Sequence, residues 1–395
     1  MSTDDEDRWH VGQLPFIWRP QPSPHNSEGL PDTLPFTLRV ASQTGTFVQE
    51  PHPVVSSALA RAYALGSAVT GQMDESGIGR GYADDFLTFI QTGRPSPPDF
   101  SGMRVLDVGC GNGYLLHRLA SRGADVLGID PGDHANAKYD VRIIRDFFPS
   151  SKVRGRFDMI IGFAMLEHVE DPPAFMAQLF EHLVPGGEVV LGVPDCGPYL
   201  QTGDISCLFH EHWSYFDHET LARTISAAGG HDVSVHRGRF GGMLYARATQ
   251  GGADSRTATP GEEYSGRNAL RKFREQGSRG VTALREYART ASASGETVGV
   301  YVPSRVVNAV FVGDIPTDNW RFFDDNPLLK GSYFPGIGIS VEDRAALLAR
   351  PTDRVLIMSR SFGKVIARGL AEVLGTRVRI TTWQELFENV VASQP

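Results

Sequence analysis

The stretch Phe209-His210-Glu211-His212-Trp213-Ser214-Tyr215-Phe216 sets two imidazoles on either side of a carboxylate, with aromatic rings around them. Histidine titrates near neutrality, so His212 can accept a proton from an acidic carbon, a hydroxyl or an amine. Glu211 would orient that ring or hold a hydroxyl, and His210 would stand behind it. The plain alternative for all three is a hydrogen-bonded, partly buried loop. A second set is Asp107-Val108-Gly109-Cys110-Gly111-Asn112-Gly113, with Asp130 farther on. Glycines that open a helix leave backbone N–H groups bare to a carboxylate or phosphate. Asp107, just before them, can pair with the ammonium of an amino-acid-like cofactor. Asp130 can accept two hydrogen bonds from a ribose diol. A dinucleotide fingerprint would place its third glycine one residue later, where Tyr114 stands. Asp146 either bonds an adenine amino group, with Phe147 on the ring, or caps a helix.

Those groups need elements to hold them. Residues 105–108 form a short apolar, β-branched run that predicts a buried strand. Residues 114–121 predict a helix, with Leu115, Leu116, Leu119 and Ala120 on one face. Further strands are expected over 126–130, 141–147, 157–163 and 188–193, with a helix opened by Pro172 and Pro173. Strand after helix at this spacing predicts a doubly wound parallel α/β sheet, finished by an antiparallel pair over 233–236 and 243–247. Ligands of such sheets sit at the carboxyl ends of the strands. Upstream, a proline-rich region holds one strand-like piece, 36–47, and helices over 54–66 and 82–90, separated by a glycine-rich break at 77–81. Tyr82 can touch the cofactor or simply pack. Downstream, a Gly/Ser/Thr/Pro linker over 250–266 precedes a helix over 267–293. Strands at 297–302, 320–325, 354–359 and 377–381 then alternate with helices over 362–374 and 381–391. Ser304, Arg305 and Asn308 stand where a strand meets a helix N-terminus, which suits a pyrophosphate, with Lys330 adding charge. An ordinary solvated surface is the alternative there.

Composition narrows the partners. A chain of 395 residues is long for one core and predicts two or three domains. Its 46 acidic against 38 basic residues, net charge -8, argue against a nucleic-acid or acidic-membrane surface. No apolar run reaches transmembrane length. The acidic start, Met1 to Asp7, lacks the basic and apolar regions of a leader. Cys110, Cys196 and Cys207 lack metal or disulfide spacing, and Cys207 reads as a small buried residue. The expectation is a soluble cytoplasmic protein, monomer or homodimer, with no metal, no membrane and no nucleic acid.

The pattern Asp-x-Gly-x-Gly-x-Gly resembles the S-adenosylmethionine site of class I methyltransferases. Over most of its length the chain resembles the bacterial nucleotide-sugar C-methyltransferases. The matching motifs are 105–113, Leu166-Glu167-His168-Val169-Glu170-Asp171, 209–216, and Phe323-Asp324-Asp325-Asn326-Pro327 with Lys330-Gly331-Ser332-Tyr333-Phe334-Pro335-Gly336. The resemblance implies a small irregular N-terminal region (1–100), a methyltransferase domain (101–250), a linker (251–266) and a smaller Rossmann-like substrate domain (267–395). It implies S-adenosylmethionine held by Asp107, Gly109, Gly111, Gly113, Asp130, Asp146, Phe147, Phe163 and Tyr82, leaving as S-adenosylhomocysteine. It implies a nucleotide-sugar ketone methylated at the neighbouring carbon, with His212 as base, Glu211, His168 and His210 beside it, and Phe209, Tyr215, Ser304, Arg305, Asn308 and Lys330 on the substrate. Oxygen or nitrogen methylation of a natural-product scaffold is the alternative. Two departures stand out. Residues 39–45 lack the family's zinc cysteines, so no zinc is expected, and Phe209 replaces a tyrosine whose hydroxyl would meet the substrate.

Overall fold

A computed structural model describes residues 7–66, 73–92, 98–132, 138–250 and 260–392. Three sheets organise them. The first is antiparallel and joins β1 (Arg8–Pro15), β2 (Thr33–Val40) and β3 (Phe47–Gln49). Helices α1 (Pro53–Ala64) and α2 (Gly77–Gln91) follow. The second sheet takes β4 (Arg104–Val108), then α3 (Tyr114–Ala120), β5 (Asp125–Asp130), β6 (Ile143–Arg145), β7 (Phe157–Phe163), α4 (Pro172–Glu181) and β8 (Leu183–Pro194). After α5 (Gly197–Thr202), the two-residue β9 (Ser214–Tyr215) pairs with β3 and so belongs to the first sheet. Helix α6 (His218–Ala227) leads to β10 (Gly230–Arg237) and β11 (Met243–Gln250), which complete the second sheet in the order β10-β11-β8-β7-β4-β5-β6. β4, β5, β6, β7 and β8 run parallel, whereas β11 runs against β8 and β10 against β11.

The long α7 (Pro260–Ala293) precedes the third sheet. That sheet holds β12 (Val298–Tyr301), β13 (Trp320–Phe323), β14 (Val341–Glu342), β15 (Arg354–Ile357) and β16 (Arg379–Thr382) in the order β14-β13-β12-β15-β16, all parallel. Around it lie α8 (Val307–Gly313), α9 (Arg344–Ala349), α10 (Gly363–Leu374) and α11 (Trp383–Ala392). A reversal of strand order beside β12 makes it a second doubly wound unit.

Local chemistry sets the boundaries. Asp171 accepts from the Ala174 N–H ahead of Pro172 and Pro173 and so starts α4. Asp217 and Thr220 form a reciprocal cap on α6. Several expectations shift. The piece 36–47 is not one strand: β2 ends at Val40, a turn carries Thr44 and Thr46, and β3 starts at Phe47, while β1 went unread because Gly12 bulges its alternation. The glycines at 77–81 do not break the chain; they lie inside α2, where a Cβ on Gly81 would come within 2.5 Å of the Phe240 ring. Residues 260–266 belong to α7, not to a linker, and 251–259 lie outside the described residues, as do Met1 to Glu6. Among the described residues no helix is long and apolar enough to cross a membrane.

Candidate active site

The glycine turn follows β4. Gly109, Gly111 and Gly113 all take left-handed φ values of 74°, 53° and 79°. A Cβ on Gly113 would stand 2.6 Å from Val141, and one on Gly109 would stand 2.9 Å from Met165. Backbone angle and crowding both require glycine at 109 and 113, and the backbone angle alone favours it at 111. Asp107 lies beneath the turn, 2 % exposed, and burial followed by the nearby Asp130 charge pushes its carboxyl up to about 8. A buried carboxylate without a cation is costly, and an ammonium placed there would relieve that cost. Asp130, at the end of β5, accepts from the N–H groups of Gly111 (3.0 Å) and Gly132 (2.8 Å).

Other expected cofactor contacts are placed differently. Asp146 uses both oxygens in its own turn, accepting from the Phe147 N–H (3.0 Å) and the Ser150 hydroxyl (2.8 Å) and pairing with Lys152 (3.0 Å). Asp146 thus serves a local turn, and no helix follows it to cap. Phe147 is 61 % exposed. Tyr82 packs between Phe163 and Phe240, at ring separations of 5.8 and 5.2 Å, and its hydroxyl donates to the Gly241 carbonyl. Its packing role is the observed one, and Phe163 shares it through Phe86.

The second cluster forms where β7 ends. A single turn, Leu166–His168, carries Glu167 and His168, and the loop before β9 brings His212 against them. The rings of His168 and His212 lie 4.9 Å apart, edge to face. Glu167 is 1 % exposed, and neither carboxylate oxygen has a hydrogen-bond partner among the described residues. Burial pushes its carboxyl up to about 8. Burial drives His168 down to about 4, opposed by a bond to the Glu211 carbonyl. His212 is held well below the usual imidazole range by burial, then by His168 and Arg305, and its Nδ1 is buried without a hydrogen-bond partner among the described residues. Glu211 is also buried.

Backbone bonds fix this loop. The Trp213 N–H donates to the Glu167 carbonyl (2.7 Å), and Gln49 donates to the His210 carbonyl (3.1 Å). His210 corrects the expectation of a catalytic neighbour. Its ring bonds the Leu34 carbonyl (3.2 Å) and lies edge-on to Phe16 and Phe36, so it anchors the loop to the first sheet. Tyr215 is likewise not on a substrate surface: fully buried, its hydroxyl accepts from the Phe209 N–H and donates to the Phe209 carbonyl. Asn308 is spent too, donating to the carbonyls of Ile205 (2.9 Å) and Leu208 (2.7 Å). Lys330 is exposed and paired with Asp343 at 2.5 Å. Ser304 sits half-buried in the turn Pro303–Arg305. Arg305 does reach the cluster. Its guanidinium lies over the rings of Tyr199 (5.6 Å) and Phe209 (5.5 Å), donates to the Ser206 carbonyl, and acts electrostatically on His212.

Sequence reasoning missed Tyr63 and the isolation of Glu167. The Tyr63 hydroxyl, from α1, lies 3.3 Å from His168 Nδ1. Its phenol is pushed up by burial and by the carboxylates of Glu211 and Glu167. The signal was available, because Tyr63 continues the buried stripe Val55, Ala58, Leu59, Ala62 at helical spacing.

Residues 80–235 match the family model described as a methyltransferase domain. The sheet order and the glycine turn agree with it. The chain carries a class I, S-adenosylmethionine-dependent methyltransferase domain. Ubiquinone biosynthesis O-methyltransferase of Psychrobacter cryohalolentis is 33 % identical over 137 residues, 31 % of this chain and 51 % of that protein. The Pseudomonas aeruginosa protein of the same name is 34 % identical over 109 residues, 25 % of this chain and 47 % of its own. The chain thus spans about half the length of the curated relatives it matches. The solved N-methyltransferase NodS of Bradyrhizobium japonicum, with S-adenosylhomocysteine, is 16 % identical at TM-score 0.37, covering 50 % of this chain and 98 % of that one, too loose a likeness to bear on function.

Proposed function

We propose that the whole chain methylates a small molecule whose accepting atom lies against Glu167, His168 and His212. The donor is S-adenosylmethionine, held by Asp107 at its ammonium, Asp130 at its ribose and the turn Gly109 to Gly113. Bound there, it supplies an electrophilic methyl group. The observation that carries the reading is the pair formed beyond β7 by the buried Glu167 carboxylate and by His212 Nδ1, from the loop before β9, neither with a hydrogen-bond partner among the described residues, one strand from the glycine turn on β4. His212, kept neutral by its surroundings, takes the proton from the acceptor, and Tyr63 with His168 offers a hydrogen bond to the acceptor's oxygen.

An oxygen acceptor comes first, since the relatives that match this domain are named O-methyltransferases. A second reading, methylation of the carbon next to a ketone in a nucleotide-linked deoxysugar, is favoured by Arg305. That residue brings a positive charge from the third sheet's unit to the same cluster. The cytoplasm suits three free, buried cysteines.

Supplying the donor with hydroxylated and keto-sugar acceptors and following S-adenosylhomocysteine tests the reading. His212→Asn is expected to lower turnover by at least about 100-fold while leaving S-adenosylhomocysteine affinity within about twofold. Equal turnover in the variant would refute the assignment. Exchange of the acceptor's α-proton without donor would select carbon over oxygen chemistry.

A further inference from the structure

We propose that Glu167, His168 and His212 bind a divalent first-row transition ion that holds the oxygen of the methyl acceptor. The inference rests on the reading of this cluster as the acceptor pocket. One ligand atom from each of the three residues lies within 4.8 Å of the others. Two imidazoles and one carboxylate form the donor set of many open zinc and iron sites, with three protein ligands and a position left for water or substrate. Ligand atoms around such an ion are roughly 3.4 Å apart, so small ring rotations close the set.

Three features separate this cluster from an ordinary buried ion pair. Both Glu167 oxygens are enclosed without a hydrogen-bond partner among the described residues, and so is His212 Nδ1. His168 Nε2 stands 3.8 Å from Glu167 Oε1, too far for a hydrogen bond to satisfy that oxygen. On its other side His168 Nδ1 meets the Tyr63 hydroxyl at 3.3 Å, the kind of outer contact that orients a metal-bound imidazole.

An ion held by these three residues would supply Lewis acidity to the acceptor oxygen and make its hydroxyl proton easier to lose to water. In that case His212 would act as a ligand in place of the base role given to it above. Phe209 fits this arrangement, since it puts a ring 5.6 Å from His212 with no hydroxyl to compete for the ion.

The test uses the full chain stripped with a chelator and titrated with Co²⁺ by visible absorbance and with Zn²⁺ by calorimetry. One ion per chain is expected, with Glu167→Gln and His212→Ala each weakening it by at least about 10-fold while S-adenosylhomocysteine still binds. No uptake, or equal uptake by folded variants, overturns the proposal. Should the variants not fold, the side-chain NMR signals of His168 and His212 in the unaltered chain are expected to shift with Zn²⁺, and unmoved signals overturn it. Failure of S-adenosylhomocysteine to bind the unaltered chain would instead sink the methyltransferase reading, independently of the ion.

Discussion

Replacing Asp107 by Asn separates ligand binding from stability, because the two are expected to move in opposite directions. Asp107 is 2 % exposed, and burial followed by Asp130 raises its carboxyl to about 8 from the usual 3.8. An acid whose folded value is raised holds its proton in the folded chain over a range where the unfolded chain has lost it. The resulting destabilisation is absent below the unfolded value. It grows as pH rises from about 4 and is complete above about 8, where it is worth at most about 6 kcal/mol. Asparagine removes the charge and keeps the shape. Without ligand, Asp107→Asn will therefore melt above the parent, by a margin that widens from about pH 4 to about pH 8 and is then level. Binding shows the reverse. The carboxylate's bond to an ammonium is worth about 1.5–3 kcal/mol, so the affinity for S-adenosylhomocysteine at about pH 8 will fall roughly 10- to 150-fold. Thermal melts and calorimetry measure both. A variant that melts lower without ligand, or binds as tightly as the parent, refutes the placement of the ammonium.

Three further substitutions probe the acceptor pocket. Asn308→Ala strands two buried carbonyls and will cost about 2–3 kcal/mol by denaturant titration, with unchanged stability ruling against its bracing role. Tyr63→Phe keeps the ring and removes the hydroxyl at His168, so turnover will fall about 10-fold or more with donor affinity intact; equal turnover removes Tyr63 from the site. His210→Ala will destabilise by about 2–4 kcal/mol by denaturant titration through lost packing on Phe16 and Phe36 and a freed Leu34 carbonyl. A loss of turnover with stability unchanged would return His210 to a chemical role.

The methyltransferase core was legible because its signals are local. The apolar run at 105–108, three spaced glycines and Asp130 are consecutive features whose geometry follows from backbone rules, and β4, α3 and β5 fall where the sequence puts them. The acceptor pocket was legible only in part. His212 and His168 stand out by type, but their company depends on contacts between distant segments. Tyr63 arrives from α1, Arg305 from the turn before α8, and Gln49 from the end of β3 in the first sheet. His210 and Tyr215 share a motif with His212, yet both are taken up by packing and hydrogen bonds at the first sheet: Tyr215, in β9, pairs with Phe47, and the His210 ring bonds the Leu34 carbonyl. Asp146 was ambiguous for a different reason, since one carboxylate can serve a neighbouring hydroxyl or a ligand and the residue type does not choose. β14 and α9 are too short to leave a periodic trace.

The most direct test is a structure of the full chain with S-adenosylhomocysteine bound. The account predicts its ammonium on Asp107, its ribose on Asp130 and its sulfur facing the pocket of Glu167, His168 and His212. A ligand lodged elsewhere, or a sulfur turned away from that pocket, would contradict it.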